Sequence, residues 1–325
     1  MTEPLLQVDG LRAHCFTAAG VVKAVDDVSF TLARGEVLGL AGESGSGKSM
    51  TGLAIMGLID PPARVVGGRI VFDGRDLATL SAEGLRQLRG NRIAMVFQDP
   101  LLTLNPMLRI DMQMVEAILA HDAIPRPVAL SRAREALVQL GVPSPEARLK
   151  AYPHQCSAGI RQRVAVAISL LNRPDLIIAD EPTSELDVTT RGQILEAVQQ
   201  LTRATGTALI WITHDLALVA GLADRVCVMY AGRIVEQGYT AEVLRAPGHP
   251  YTRGLLDSLP GNAPWREKLK QIPGMPPSLI DLAPGCAFRP RCPYATAECG
   301  ETPEMRPHGA TGQSLRCFHP LPPGA

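Results

Sequence analysis

The chain has 325 residues, 46% of them hydrophobic, with 32 Lys and Arg against 32 Asp and Glu. That length holds one large domain or two modest ones, and the balanced charge argues against a general nucleic-acid binder. No apolar run approaches the roughly 20 residues that span a bilayer, and Met1-Thr2-Glu3-Pro4 lacks the basic start and apolar stretch of a signal peptide, so a cytosolic chain is expected.

Residues 5–34 read as short strands with turns, Val21 to Val25 among them. Glu36 to Leu40 reads as a buried strand entering Gly42-Glu43-Ser44-Gly45-Ser46-Gly47-Lys48-Ser49, and Ser49 to Leu58 reads as the helix leaving it. The run fits the phosphate-loop pattern G-x-x-x-x-G-K-[ST]. A helix N-terminus offers unpaired N–H groups and partial positive charge to a phosphate. Glycines let the backbone wrap the phosphates, Lys48 has the reach for the β- and γ-phosphates, and the Ser49 hydroxyl suits Mg²⁺. The plain alternative is a chance glycine-rich turn, which the strand–loop–helix context disfavours.

Further along, Arg69 to Phe72 is a short strand ended by Asp73-Gly74, and Ser81 caps a helix to about Arg89. Arg92 to Phe97 is a strand ending at Gln98-Asp99-Pro100. From Asp111 to Lys150 the spacing is helical: Val115, Ile118 and Leu119 share one face, as do Ala133, Leu137 and Leu140. Ser157 opens a helix to about Asn172. Leu176 to Ala179 is a continuous apolar strand suited to a parallel sheet covered on both faces, and it ends in Asp180 and Glu181. Asp180 is placed to bind Mg²⁺ and Glu181 to polarise an attacking water, the two needs of phosphoanhydride hydrolysis beyond the loop itself. Asp187 caps the next helix, and Ala208 to Ile212 and Val226 to Tyr230 are further strands. Strands alternating with helices predict a doubly wound α/β core with a helical insertion.

After about residue 245 the composition shifts. Pro247, Pro250, Pro260, Pro264, Pro273, Pro276 and Pro277 interrupt any long element, and a separate extension over 246–325 is expected. Its first helix runs from Tyr251 to Leu259. Three cysteines, Cys15, Cys156 and Cys227, are scattered, whereas the extension holds Cys286-x5-Cys292-x6-Cys299-x17-Cys317. Clustered thiols in a cytosolic chain point to a metal rather than to disulfides. Either a tetrahedral zinc site or an iron–sulfur cluster suits four thiolates. The spacing lacks the C-x2-C pairs of zinc ribbons, and four free thiols are the plain alternative. A metal would staple a small segment poor in apolar residues.

Taken in order, residues 5–245 resemble the ATP-binding subunits of ABC transporters. Gln98 stands at the Q-loop position, Cys156-Ser157-Ala158-Gly159-Ile160-Arg161-Gln162-Arg163 at the signature, Ser184-Glu185-Leu186-Asp187 at the D-loop and His214 at the switch histidine. The resemblance implies a P-loop NTPase core over 1–245, with an antiparallel β subdomain and a helical subdomain at about 99–172. It implies a head-to-tail dimer with ATP between the phosphate loop of one subunit and the signature of the other. Gly42 to Met50 then bind nucleotide, and Ser157, Ala158 and Gly159 complete the facing site. Ser49, Gln98 and Asp180 surround Mg²⁺, Glu181 orients water and His214 contacts the γ-phosphate. An aromatic near the N-terminus stacks on adenine, with Phe16 the candidate and Tyr152 the poorer one. The signature departs from Leu-Ser-Gly-Gly at Cys156 and Ala158. The Ala158 Cβ stands where backbone approaches phosphate, so the composite site using this signature is expected to be weakened, unless the alanine is simply tolerated.

His249-Pro250-Tyr251 and the late cysteines resemble the ATP-binding subunits of bacterial dipeptide and oligopeptide importers, nearest the dipeptide importers, and Ala54 to Leu58 and Met229 to Gly232 fit as well. This resemblance implies an ATPase powering peptide import, peripheral at the cytoplasmic face of the inner membrane. Its implied partners are a related second ATPase, two membrane permeases and an extracytoplasmic peptide-binding protein, with no nucleic acid. The helical stretch from Gln98 to Lys150 docks the permease. It favours a four-iron, four-sulfur cluster on Cys286, Cys292, Cys299 and Cys317 over zinc. One rival is another cargo, such as nickel, an opine or a haem-like ligand. A second is a soluble ABC ATPase acting on ribosomes or DNA, which usually carries two ATPase domains or a long coiled coil. A non-catalytic nucleotide binder is disfavoured by Glu181 and His214.

Overall fold

The computed structural model describes residues 3–184, 186–259, 271–280, 282–309 and 312–322. Glu185 of the expected D-loop and Pro260 and Pro264 of the proline-rich stretch lie outside the described residues. In chain order come β1 (Leu6–Thr17), β2 (Gly20–Leu32), β3 (Val37–Ala41), α1 (Lys48–Met56), β4 (Ala63–Phe72), β5 (Arg75–Asp76) and α2 (Ala82–Leu88). Then follow β6 (Ile93–Val96), α3 (Pro100–Thr103), α4 (Ile110–Leu119), α5 (Arg126–Gln139), α6 (Pro145–Lys150), α7 (Ala158–Leu170), β7 (Leu176–Asp180) and α8 (Val188–Thr205). The chain continues with β8 (Ala208–Thr213), α9 (Leu216–Leu222), β9 (Arg225–Tyr230), β10 (Arg233–Tyr239), α10 (Thr240–Arg245), α11 (Pro250–Asp257), β11 (Arg306–His308) and β12 (Gln313–Leu315). Two compact units result: one from Met1–Ala33, Val37–Ala78 and Trp211–Ala325, the other from Arg34–Glu36 and Thr79–Ile210.

In the first unit, β1 pairs antiparallel with both β2 and β4, and β5 adds to β4. The short strands expected over 5–34 are two long ones. Pairing runs from Leu6↔Leu32 to Thr17↔Gly20 with register shifts near Leu11 and Cys15. Each shift inserts a residue, which breaks the two-residue alternation that sequence reading relies on while the ladder continues. Gly10 (φ 54) sits at the first shift, and a Cβ on Gly68 would lie 2.5 Å from the Gly10 carbonyl oxygen, so the backbones meet where only glycine fits. β3 is buried along its whole length and runs parallel to β9. A Cβ on Gly39 would lie 2.6 Å from Val219 Cγ1, so α9 packs directly on the strand that feeds the phosphate loop.

The extension does not stand apart from this unit. β12 pairs antiparallel with β10 (Glu236↔Leu315), and β11 pairs with β12. Tyr251, Leu256 and Phe288 join Tyr230, Val228 and Val235 in one core. The Glu236 carboxylate, fully buried, accepts from Gly248 N–H (2.7 Å), His249 N–H (3.1 Å) and Gln313 Nε2 (2.5 Å). Arg316 donates to Asp27 at 2.7 Å. Proline excludes long helices but not burial, which is why composition alone set this segment apart.

In the second unit, β6 runs parallel to β7, with Ile93↔Leu176 and Val96↔Ala179 in register. Ser81 and Asp187 cap α2 and α8 as the sequence predicts, through Gly84 N–H and Thr190 N–H. The helical stretch is three helices, α4 to α6, broken at Pro125 and Gly141. Ile110, Met114, Val115 and Ile118 of α4 are buried, as are Ala129, Ala133 and Leu137 of α5. Leu119, expected on the same face, is exposed at the end of its helix.

Candidate active site

Gly42 to Ser49 link the buried β3 to the first turn of α1. Two glycines fix the path. Gly42 has φ 150, and a Cβ there would lie 2.2 Å from the Met229 carbonyl oxygen. Gly47 caps α1 at φ 102, where a Cβ would lie 2.2 Å from the Ala24 carbonyl oxygen. No residue with a Cβ holds either position without moving backbone. Lys48 is buried, and its ammonium donates to the carbonyls of Gly42 (2.8 Å) and Glu43 (2.9 Å) and to Ser46 Oγ (3.4 Å). The loop is thus a ring of backbone drawn around one cation. His214 stands exposed just past β8 in the same unit.

Glu43, a variable position of the loop pattern, is tied by all its polar groups. Its N–H donates to the Tyr251 hydroxyl at 2.8 Å, and its carbonyl accepts from Lys48. Its carboxylate takes a two-point bond from Arg291, at 2.7 and 3.0 Å. Burial pushes the Tyr251 phenol upward, and the bond to Glu43 raises Arg291 further above the usual guanidinium range. Sequence reading missed both partners. Tyr251 belongs to the quoted His-Pro-Tyr stretch, but 208 residues separate it from Glu43 and 248 separate Arg291; no local pattern reports such pairs.

In the second unit, β7 buries all five residues through Asp180. Glu181 follows at φ 44, a left-handed conformation rare outside glycine and concentrated at functional sites. Its carbonyl accepts from Ser184 N–H and Oγ. Gln98 is exposed two residues past β6. Ser157 is the N-cap of α7, accepting from Ile160 N–H at 3.4 Å, with Ala158 the first helical residue. A Cβ on Gly159 would lie 3.2 Å from Thr190 Cγ2, so α7 and α8 meet closely behind the signature. Of the two aromatic candidates, Phe16 lies near the end of β1 with the Arg64 guanidinium 4.3 Å over its ring, and Tyr152 stacks on His154 at 5.6 Å.

Cys286, Cys292, Cys299 and Cys317 line one small pocket walled by Phe288, Phe318, Pro250 and Pro303. The Cys286 N–H donates to the Cys299 carbonyl at 3.0 Å. Burial raises the thiols of Cys286 and Cys292 and pushes Cys317 up to about 11. Among the described residues, no three His, Cys, Asp or Glu side chains converge as a ready shell for a metal ion. The metal site expected from spacing is therefore a gathering of four thiols around a common pocket, not a closed single-ion shell.

The family profile described as ABC transporter matches residues 25–184, and that described as Oligopeptide/dipeptide transporter, C-terminal region, matches residues 235–299. The dipeptide transport ATP-binding protein DppD of Escherichia coli is 46% identical over 98% of this chain and 97% of its own length. That of Haemophilus influenzae is 46% identical over 98% and 96%. The oligopeptide transport ATP-binding protein OppD of Salmonella typhimurium is 44% identical over 98% and 94%. Among solved structures, a dimeric post-hydrolysis state of the ATP-binding cassette MJ0796 bound to ADP and Pi superposes with a TM-score of 0.66. It is 24% identical and covers 72% of this chain and 98% of that one. The cbiO1 protein of Clostridium perfringens superposes at 0.63 with 28% identity, covering 74% and 91%.

Proposed function

The chain belongs to the ATP-binding proteins of ABC dipeptide and oligopeptide transport, and from that premise we propose that it hydrolyses ATP to drive peptide import across a bacterial inner membrane. Lys48 carries this reading: a buried cation held by the carbonyls of Gly42 and Glu43 at the head of α1 is built to exchange those oxygens for phosphate oxygens. Near full-length similarity to DppD and OppD supports the peptide cargo.

In this reading the amides of Gly42 to Met50 cradle the phosphates and Lys48 neutralises charge on the transferring group. Glu181 orients water and takes its proton as oxygen adds to the γ-phosphorus. The bond between that phosphorus and the β–γ bridging oxygen breaks, and ADP and inorganic phosphate leave. His214 contacts the γ-phosphate. The hydroxyl of Ser49, the amide of Gln98 and the carboxylate of Asp180 are hard oxygen donors, which suit Mg²⁺. When bound, that ion supplies charge neutralisation at the β- and γ-phosphates. Ser157, Ala158 and Gly159 serve the facing site in a dimer with a related ATPase, and Phe16 offers the adenine platform. The ATPase portion is 1–245 and the extension 246–325. Two permeases and an extracytoplasmic peptide-binding protein complete the complex, with this subunit peripheral at the cytoplasmic face.

The sequence spacing that suggests a metal group on the four late cysteines has one structural support, their common lining of a single pocket. We propose a four-iron, four-sulfur cluster on Cys286, Cys292, Cys299 and Cys317 rather than zinc, on the resemblance of this segment to the peptide importers; when bound it would supply one-electron redox chemistry. Purified protein tests the ATPase reading. Mg²⁺-dependent ATP hydrolysis that Lys48→Ala abolishes is expected; equal rates in both proteins refute it.

A further inference from the structure

The extension reaches the phosphate loop by three routes, two of which converge on Glu43. The Tyr251 hydroxyl accepts from Glu43 N–H at 2.8 Å, and Arg291 grips the Glu43 carboxylate at two points. Pro276, Pro277 and Leu279 wall a small cavity over Glu43 to Ser46. The Arg291 side chain is 5% exposed and held from behind as well, with Nε donating to the Pro273 carbonyl at 2.9 Å. Arg291 is followed directly by Cys292, and its N–H donates at 2.9 Å to the carbonyl of Phe288, which lines the thiol pocket. On the other side, the Glu43 carbonyl is one of the oxygens that hold Lys48. A continuous chain therefore runs from the cysteine pocket through Arg291 and Glu43 to the ammonium that meets phosphate.

We propose that Arg291 and Tyr251 are positioning residues for the phosphate loop, and that through them the four-thiol pocket and the nucleotide site are energetically coupled. The proposal rests on the ATP-binding reading. Arg291 suits the task because its planar fork fixes the carboxylate in direction as well as distance, which a lysine does not. Coupling between two sites is reciprocal in binding free energy. Nucleotide must then tighten the backbone around Cys286 to Cys299, and loosening that segment must weaken nucleotide.

The full chain as purified tests this with affinity for a non-hydrolysable ATP analogue and with hydrogen exchange across 286–299. In the wild type, analogue slows exchange in that segment. Arg291→Gln is expected to weaken analogue binding at least fivefold and abolish the slowing, with Arg291→Lys falling between. A purely structural role would lower stability without removing the response to nucleotide. Where Arg291→Gln fails to fold, Glu43→Gln and Tyr251→Phe carry the same measurements and the same expectations. Affinity within twofold of wild type, or exchange in the wild type indifferent to analogue, overturns the coupling while leaving ATP binding intact. A wild-type chain that binds no analogue overturns the ATP-binding reading and this proposal with it.

Discussion

Two glycines of one loop give a matched test of how the phosphate site is built. Gly45 (φ 79) and Gly47 (φ 102) both occupy backbone that disfavours side chains, but a Cβ on Gly45 meets nothing within 4 Å, whereas one on Gly47 lies 2.2 Å from the Ala24 carbonyl oxygen. Alanine at Gly45 therefore incurs only the left-handed penalty, about 1–2 kcal/mol. Alanine at Gly47 incurs that penalty and must also move backbone by about 1 Å to restore ordinary contact, in a site where misplacement of that size costs roughly 100-fold in rate. ATP turnover and analogue affinity of both variants, alongside thermal unfolding, supply the comparison. Gly45→Ala is expected to lose a few degrees in midpoint with turnover within about tenfold of wild type. Gly47→Ala is expected to lose about 100-fold or more. Equal turnover in the two variants would refute the claim that close approach to Ala24, rather than dihedral freedom, fixes the loop.

Replacing Glu181 by Gln keeps size and removes the base. Hydrolysis should fall about 10²- to 10⁴-fold with analogue affinity retained; an unchanged rate excludes Glu181 from the chemistry. Ala158→Gly should raise hydrolysis at the one composite site of a mixed dimer that uses this signature, read by blocking each site separately, and equal rates before and after substitution count against a weakened site. Burial lowers the His249 pKa to about 4 from 6.5, and its Nδ1 accepts from Tyr251 N–H. The unfolded chain binds the proton first, so this group's contribution is present above pH 6.5 and lost as pH falls toward 4, about 2 kcal/mol by pH 5. His249→Asn keeps a capping oxygen and removes the titration; urea unfolding at pH 7.5 and pH 5 should show a smaller loss than wild type. Glu236, raised by burial, pulls the other way in both proteins and cancels in the difference.

Much of the local structure that carries the candidate site residues is legible because its signals are local. The strand, loop and helix around Gly42 to Ser49, the buried strand ending at Asp180 and the Ser157 cap of α7 are each read within eight residues. What the sequence hides is long-range. Bulges at Leu11 and Cys15 masked two long strands as several short ones. The buried Glu236 carboxylate, which gathers Gly248, His249 and Gln313, binds the extension into the first unit, although its prolines suggest a detached tail. The Arg291 bond to Glu43 spans 248 residues, and charge alone could not select that pair among 32 basic and 32 acidic side chains. Spacing brought the four cysteines to notice, but only the fold shows that they share a pocket without converging on one point.

ATP hydrolysis by this chain is proposed to drive peptide uptake. Uptake of an isotopically labelled dipeptide by cells lacking the chain, complemented with wild type or with Glu181→Gln, tests it most directly. Uptake restored by the wild type and absent with Glu181→Gln expressed at the same level is the expected result. Uptake unaffected by loss of the chain, or restored equally by both proteins, would contradict it.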